Sequence, residues 1–362
     1  MNKKVLMRGN ETIAEAAIQA CCRFYAGYPI TPQNEIPEYM ARRMPEVGGV
    51  FIQAESELAA INIVYGASAA GARAMTSSSS PGISLKQECI SYLAGSELPA
   101  VIVNIQRGGP GLGNISGSQA DYFQAVKGGG HGDYKLLVYG PYNLQELWDF
   151  TMLAFDKAEE YRNPVMILGD GVLGQMMEPF YPTPYVNPEL PEKEWILDGC
   201  KGREPRVIKS LYMGEGELEM KNDVLQQKYK KMKDKEVKFE GYFTEDSEVL
   251  IVAFGIAARI ALSSVRRLRR EGLKVGLFRP ITLFPFPERE LFMLAGENRR
   301  FLTIEMNAGQ MVEDVRLAVN GRSDVLFYGK PGGSLITPEE VQERILEILH
   351  YRTHLSKTTV SD

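Results

Sequence analysis

Residues 51–82 read FIQAESELAAINIVYGASAAGARAMTSSSSPG. Residues 50–54 are strand-like, 58–72 carry a helical pattern of small and apolar residues, and 74–76 are again strand-like. A strand, a helix and a second strand within so short a stretch is the signature of a parallel crossover. The pattern repeats outward. Residues 14–24 read as a helix ended by Gly27-Tyr28-Pro29. Residues 99–105 (PAVIVNI) form the clearest buried strand, residues 164–168 (PVMIL) another, and a helix over 144–161 lies between them. Strands spaced by helices predict an α/β domain with a mostly parallel sheet.

The composition changes near Glu178. Residues 178–194 (EPFYPTPYVNPELPEKE) hold five prolines and predict an extended connection. Residues 214–248 are heavily charged and predict an exposed helix crossing between domains. Acidic residues interleave with its lysines, which argues against a nucleic-acid surface. A second α/β unit starts at Val249, with strands VLIVAFG, KVGLFRP, FLTIEMN and DVLFYG and an amphipathic helix over 257–271. The expected organisation is a first domain over 1–185, a Pro-rich and charged connector over 186–244, a second domain over 245–352, and a fraying tail over 353–362.

The bulk numbers narrow the function. A chain of 362 residues suits two domains, and 44% hydrophobic residues allow a sizeable core. A net charge of −5 speaks against nucleic acid. No apolar run is long enough for a membrane span, and the start MNKKVLMRGNETIAEAA lacks a signal core, so a cytoplasmic location is expected. The four cysteines (Cys21, Cys22, Cys89, Cys200) form no CxxC. They read as buried free thiols, and the chain by itself offers no iron–sulfur site. Three histidines (His131, His350, His354) leave little supply for a histidine triad or a zinc site.

Four stretches carry possible chemistry. RGGPGLGN (107–114) lacks both the GK[ST] ending of a P-loop and the dinucleotide spacing. Its glycines let backbone approach a ligand, and Arg107, arriving from the buried strand, is either a surface residue or a clamp for a carboxylate. GDG (169–171) is like the opening of the diphosphate–magnesium motif of thiamine enzymes, but the Asn that completes it is missing, Asn187 standing too early. It reads as a turn after the strand. In GYPITPQNEIPE (27–38), Pro29 and Pro32 constrain the backbone around Thr31, which either caps a turn or fixes one hydroxyl. Glu55 and Glu57 stand at a strand-to-helix junction. Glu57 opens a helix almost without charge, where it serves the helix dipole or is pressed into a dry interface and shares a proton with a ligand nitrogen.

Together, GYPITPQNEIPE, QAESELAAINIVYGASAAGARAMTSSSSPGISLKQE, QRGGPGLGN, GGGHGDY and PVMILGDGVLGQMMEP resemble the alpha subunit of 2-oxoacid:ferredoxin oxidoreductases. FRPITLFPFPERELFMLAGENRRFLTIEMNAGQMVEDVR looks like the transketolase C-terminal type domain of the same family. The resemblance spans residues 5–350 and is greatest to the 3-methyl-2-oxobutanoate (2-oxoisovalerate) type. It implies a thiamine diphosphate-binding fold with a pyrimidine-type first domain. It implies that Glu57, not Glu55, contacts N1′ of the aminopyrimidine and favours the tautomer that takes the thiazolium C2 proton. Glu55 is then a cap or faces solvent. Thr31 and Arg107 match the substrate-binding threonine and arginine. Tyr28 and Ser79 match cofactor-contacting positions, with Ser77 to Ser80 and His131 near the pocket.

The implied reaction is oxidative decarboxylation of a branched-chain 2-oxoacid with coenzyme A (CoA) to acyl-CoA, CO2 and reduced ferredoxin. 2-Oxoglutarate or pyruvate are the alternative substrates. A scaffold subunit without catalytic residues, or a sulfonate decarboxylase or transketolase-like half-enzyme without redox chemistry, are the alternative classes. The resemblance further implies that thiamine diphosphate is shared with a beta subunit, that Mg and iron–sulfur clusters sit on partner subunits, and that CoA is the cosubstrate. The uncharged helix is then a subunit interface. Nothing precedes Met1 that matches a fused gamma domain, so separate gamma and ferredoxin-like subunits are expected, with ferredoxin as acceptor.

Overall fold

The computed structural model describes residues 3–358, with side chains described through 349. The first half runs β1 (Val5–Arg8), α1 (Gly9–Gln19), β2 (Phe24–Gly27), α2 (Glu35–Arg43), β3 (Val50–Gln53), α3 (Glu57–Ala69), β4 (Ala74–Ser78), α4 (Ser80–Gly95), β5 (Ala100–Gln106), β6 (Leu137–Tyr139), α5 (Leu144–Tyr161), β7 (Pro164–Asp170), α6 (Gly171–Gln175) and β8 (Met177–Phe180). The second half runs α7 (Glu217–Lys235), β9 (Phe239–Tyr242), β10 (Val249–Val252), α8 (Gly255–Arg270), β11 (Val275–Pro280), β12 (Thr282–Phe284), α9 (Glu288–Leu294), β13 (Arg300–Glu305), α10 (Met311–Val319), β14 (Val325–Gly329) and α11 (Pro338–Thr358).

The main sheet has seven strands in the order β12-β6-β7-β5-β4-β2-β3, all parallel except the β12–β6 pair. The second sheet has five, β14-β13-β10-β11-β9, with only β9 antiparallel. The mostly parallel α/β architecture follows from the alternation of apolar runs and helices. In β5, Val101, Val103 and Ile105 pack with α1, α2 and α5, whereas Ala100 and Ile102 pack with α3 and α4. A strand covered on both faces is mostly apolar, and the run Ala100 to Val103 is why this one was the clearest in the sequence.

One expected helix lies five residues earlier than its pattern, at Gly9–Gln19 where 14–24 was expected. Residues 24–27 are not helical but form β2, between β3 and β4. The helix ends at Gln19, and Cys21 turns the chain with a left-handed φ of 61°. Tyr25 is then fully buried and stacked on Phe51. A short apolar run cannot be told from helix by periodicity alone, and strand pairing decided it here. The same turn leaves Cys21 exposed. Cys22 and Cys89 are buried as expected of free thiols, whereas Cys200 is also exposed.

Residues 181–193 carry neither helix nor strand, in keeping with their prolines. The charged helix α7 exposes most of its surface but buries Leu225, Tyr229 and Met232 along one stripe, and Lys221 and Lys228 both pair with Glu97. β9, from the expected connector, becomes an edge of the second sheet, and β12, from the expected second domain, joins the first. The apolar core is accordingly continuous, running from Ile61 and Ile102 through Phe254 and Phe278 to Met311. No helix among the described residues is long and apolar enough to cross a membrane. α11 runs to Thr358, into the expected tail, and residues 359–362 of that tail lie outside the described residues.

Two buried charges tie the halves together. Arg279 at the end of β11 is fully buried, reaching Glu146 of α5 at 2.5 Å and Glu240 of β9 at 2.9 Å, with its guanidinium 3.9 Å from the Tyr142 ring. Asp170 caps α6, accepting from the Val172 and Leu173 amides at 2.9 and 3.1 Å, and the Ile256 amide of α8 also donates to it. GDG is thus not a turn: it ends β7 and opens α6 directly, with Asp170 as the cap between them. Removing one partner of a buried ion pair strands the other. Arg279→Ala should therefore cost about 3–5 kcal/mol of stability, read as a lowered urea midpoint. Burial pushes the Asp170 carboxyl up from 3.8 to about 6, against the bonds from Leu173, Val172 and Ile256. A carboxyl raised in the folded chain contributes stability that is full below its unfolded value and is lost as pH rises through the folded one. Stability should thus decline between about pH 4 and about pH 6 from this group, and Asp170→Asn, which keeps the α6 cap, should flatten that part of the stability profile.

Candidate functional site

The residues singled out by sequence gather at one edge of the main sheet because each follows the carboxyl end of a parallel strand. Thr31 follows β2, Glu57 follows β3, Ser79 follows β4 and Arg107 follows β5. Ligands of open α/β sheets bind in the crevice outside these strand ends.

Glu57 is the first residue of α3. Ser56, not Glu55, caps that helix, its hydroxyl accepting from the Ala59 amide at 3.1 Å. Glu55 is exposed, whereas Glu57 is only 6% exposed. Gly82, in the first turn of α4, makes this placement possible. A Cβ on Gly82 would lie 2.6 Å from Glu57 Oε1 and 2.1 Å from Ser78 Oγ, so a side chain there would displace the carboxylate. The hydroxyls of Ser78 and Ser79 are buried without a hydrogen-bond partner. Ser77 is already committed, bonded to Tyr25 at 2.6 Å and to Gln33 at 2.5 Å.

Arg107 leaves β5 with its backbone amide donating to Ser80 Oγ at 3.0 Å. Its guanidinium donates from Nη1 to the Thr31 carbonyl and from Nη2 to the Leu112 carbonyl, each at 2.9 Å, while the buried Nε has no partner. One cation therefore joins the loop of Thr31 to the glycine-rich loop. Thr31 Oγ1 accepts from Asn34 Nδ2 at a long 3.4 Å and has capacity for a further donor or acceptor. The glycine-rich loop folds back on itself. A Cβ at Gly113, whose φ is 58°, would meet the Gly108 carbonyl at 1.7 Å. Asn114 carries the loop on to the second unit, donating to the Gly332 carbonyl at 2.7 Å. Tyr28 lies at the rim, 37% exposed.

Burial raises the Asp121 carboxyl, against hydrogen bonds from Ser80 and Asn104. His131 is not brought to this edge. Its exposed ring meets Tyr92 edge-on at 6.0 Å and lines a cavity of about 190 Å³ with residues of α4 and α7. Among the described residues, no group of three His, Cys, Asp or Glu side chains is placed to hold a metal ion.

The residue that sequence reading missed is Lys86. It is fully buried on α4, and its ammonium donates to Thr76 Oγ1 at 2.5 Å. Burial draws it down to about 7, with Glu57 acting in the opposite direction. The signal was present: Lys86 stands three residues after Ile83 and four before Ile90, on the apolar stripe of its helix. Gln33, which orders the Thr31 loop through Ser77, was also missed, and no pattern in the sequence marks it.

One face beside the site, along α3, is uncharged. Leu58, Asn62, Gly66 and Ala70 form an exposed stripe at every fourth position of α3 and just beyond it, and a Cβ on Gly66 would meet nothing. Leu85 and Leu112 add exposed apolar surface. Such a patch is suited to a protein interface.

Comparison with known proteins agrees with this geometry. Residues 15–238 match the family described as pyruvate flavodoxin/ferredoxin oxidoreductase, thiamine diphosphate-binding, and residues 247–341 match pyruvate:ferredoxin oxidoreductase core domain II. The ketoisovalerate oxidoreductase subunit VorB of Methanothermobacter thermautotrophicus is 50% identical over 344 residues, covering 95% of this chain and 97% of that protein. The 2-oxoglutarate synthase subunit KorA of the same organism is 37% identical, covering 96% of this chain and 100% of that protein. A solved 2-oxoglutarate:ferredoxin oxidoreductase from Magnetococcus marinus superposes with a TM-score of 0.85 at 26% identity, over 96% of this chain and 65% of that longer one. A family model that spans the main sheet, and relatives matched nearly end to end, leave one assignment: this chain belongs to the 2-oxoacid:ferredoxin oxidoreductases, with a thiamine diphosphate-binding first domain.

Proposed function

We propose that this chain is the pyrimidine-binding subunit of a thiamine diphosphate-dependent complex that converts 3-methyl-2-oxobutanoate and CoA to acyl-CoA and CO2 while reducing ferredoxin. The observation that carries this reading is the nearly dry Glu57 carboxylate seated on Gly82 beside the partnerless buried hydroxyl of Ser78, with that of Ser79, also without a partner, one residue on. Orphaned buried polar atoms are costly unless a ligand satisfies them, so these residues fit the aminopyrimidine.

When bound, thiamine diphosphate supplies the electron sink for decarboxylation. The chain's own part is positioning and proton control. Glu57 shares a proton with pyrimidine N1′, and the α3 N-terminus favours its negative charge. Ser79 and Tyr28 complete the cofactor-contacting set. Arg107 holds the 2-oxoacid carboxylate through the guanidinium, and Thr31 orients the same group with its hydroxyl.

The branched-chain substrate is supported by the higher identity to a ketoisovalerate enzyme than to a 2-oxoglutarate one. The loop over Arg107 agrees: residues 108–118 (GGPGLGNISGS) contain Leu and Ile but no Lys or Arg to anchor a second carboxylate. The uncharged stripe of α3 supports docking of a beta subunit that carries the diphosphate, Mg and a cluster. Separate gamma and ferredoxin-like subunits, ferredoxin as acceptor and a cytoplasmic location belong to the same reading.

Two measurements test it. The complex, purified anaerobically from its native cells, should reduce a viologen dye in a CoA-dependent manner and prefer 2-oxoisovalerate. Preference for 2-oxoglutarate or pyruvate would keep the chemistry and reject the substrate. Glu57→Gln should lower turnover by about 10²–10⁴-fold with assembly intact, and unchanged turnover would favour a scaffold role.

A further inference from the structure

Lys86 has no role in the reading above, and it is the least expected group near the site. Its ammonium has three donors and one hydrogen bond, to the neutral Thr76 hydroxyl. A buried ammonium without a counter-charge is strongly unfavourable. The groups facing it are few. α3 presents Glu57, and α4 itself presents the Cys89 thiol. The packed strand β4 (AMTSS) carries no titratable side chain, β5 (AVIVNIQ) none, and β7 none before Asp170. Asp121 accepts from Ser80 at the start of α4, and Arg107 meets Ser80 only through its backbone, its guanidinium turning to the Thr31 and Leu112 carbonyls. Glu57 is therefore the carboxylate set against Lys86. The helix geometry agrees. Gly82 and Lys86 are four residues apart on one face of α4, and the Gly82 end of that face touches the Glu57 carboxylate.

We propose that Lys86 is a positioning residue whose charge holds the Glu57 carboxylate in place and governs the hydrogen bond that Glu57 offers the cofactor. The inference rests on Glu57 being the residue that meets the aminopyrimidine. Because burial draws Lys86 down to about 7, this control changes within the physiological range. Below that value the ammonium supports Glu57, and above it the support is withdrawn.

The test is binding of thiamine diphosphate with Mg²⁺ to the cofactor-free assembled complex, followed by calorimetry between about pH 6 and about pH 8.5. In the wild type, affinity should fall about tenfold as pH rises through this window. Lys86→Met should remove that inflection, and should have no further effect in a Glu57→Gln background. An inflection that survives in Lys86→Met, or effects of the two substitutions that add independently, would overturn the proposal. Should Lys86→Met fail to assemble, Thr76→Val keeps the lysine and removes its hydrogen bond. The inflection should then move to lower pH, and an unmoved inflection would equally overturn the proposal. Failure of the underlying reading looks different: no thiamine diphosphate binding by the wild-type complex at any pH, or full turnover by Glu57→Gln.

Discussion

A carboxylate withdrawn from water must be compensated by a hydrogen bond, a counter-charge or a ligand, and the site depends on how Glu57 meets that constraint. The parallel sheet delivers it to the start of α3, where unpaired helix amides favour negative charge. The missing side chain of Gly82 opens the space, and the first turn of α4 closes over it. The end of β4 brings the orphan hydroxyl of Ser78 to the same glycine, and that of Ser79 follows it in the chain. Each feature alone is unremarkable. Their convergence on one strand-end crevice creates a surface that is uncomfortable without a polar ligand.

The rest of the chain keeps that crevice in register. Arg107 joins the Thr31 loop to the glycine-rich loop, and Asn114 joins the latter to the second unit. Asp170, at the end of β7, takes amides from α6 and from α8. Arg279, buried between Glu146 and Glu240, locks the opposite side of the junction. The two α/β units therefore share a core and a strand, β12, and do not meet merely as neighbours on a linker. The loops at the strand ends are thereby borne by rigid elements.

The uncharged stripe of α3 belongs to the same logic. A surface helix of a single folded chain ordinarily presents charge to water. α3 instead presents Leu58, Asn62 and Gly66 next to the site, so the crevice opens toward a face built for contact. Such a face is suited to contact with a second protein surface.

Much of this was legible in the residues. β5 and β7 declared themselves through mostly apolar runs, α5 through its period, and Glu57 through its place at a junction followed by a helix without charge. Local pattern sufficed there because burial on both faces and helical periodicity leave a direct mark on residue type. It did not suffice for the helix expected over 14–24, which lies at Gly9–Gln19, because Phe24 belongs to β2 and only pairing with β3 and β4 decided that. It did not reveal that Lys86 stands behind Glu57, that Gln33 anchors the Thr31 loop, or that β12 returns to the first sheet, and it did not keep His131 away from the site. These depend on contacts between residues far apart in the chain. The sequence by itself determined the α/β class, the family and the candidate Glu57, Thr31 and Arg107, because each is written in local pattern and motif. The tertiary structure alone decided which charges face each other in the dry interior, because that is a matter of distance between elements and not of order along the chain.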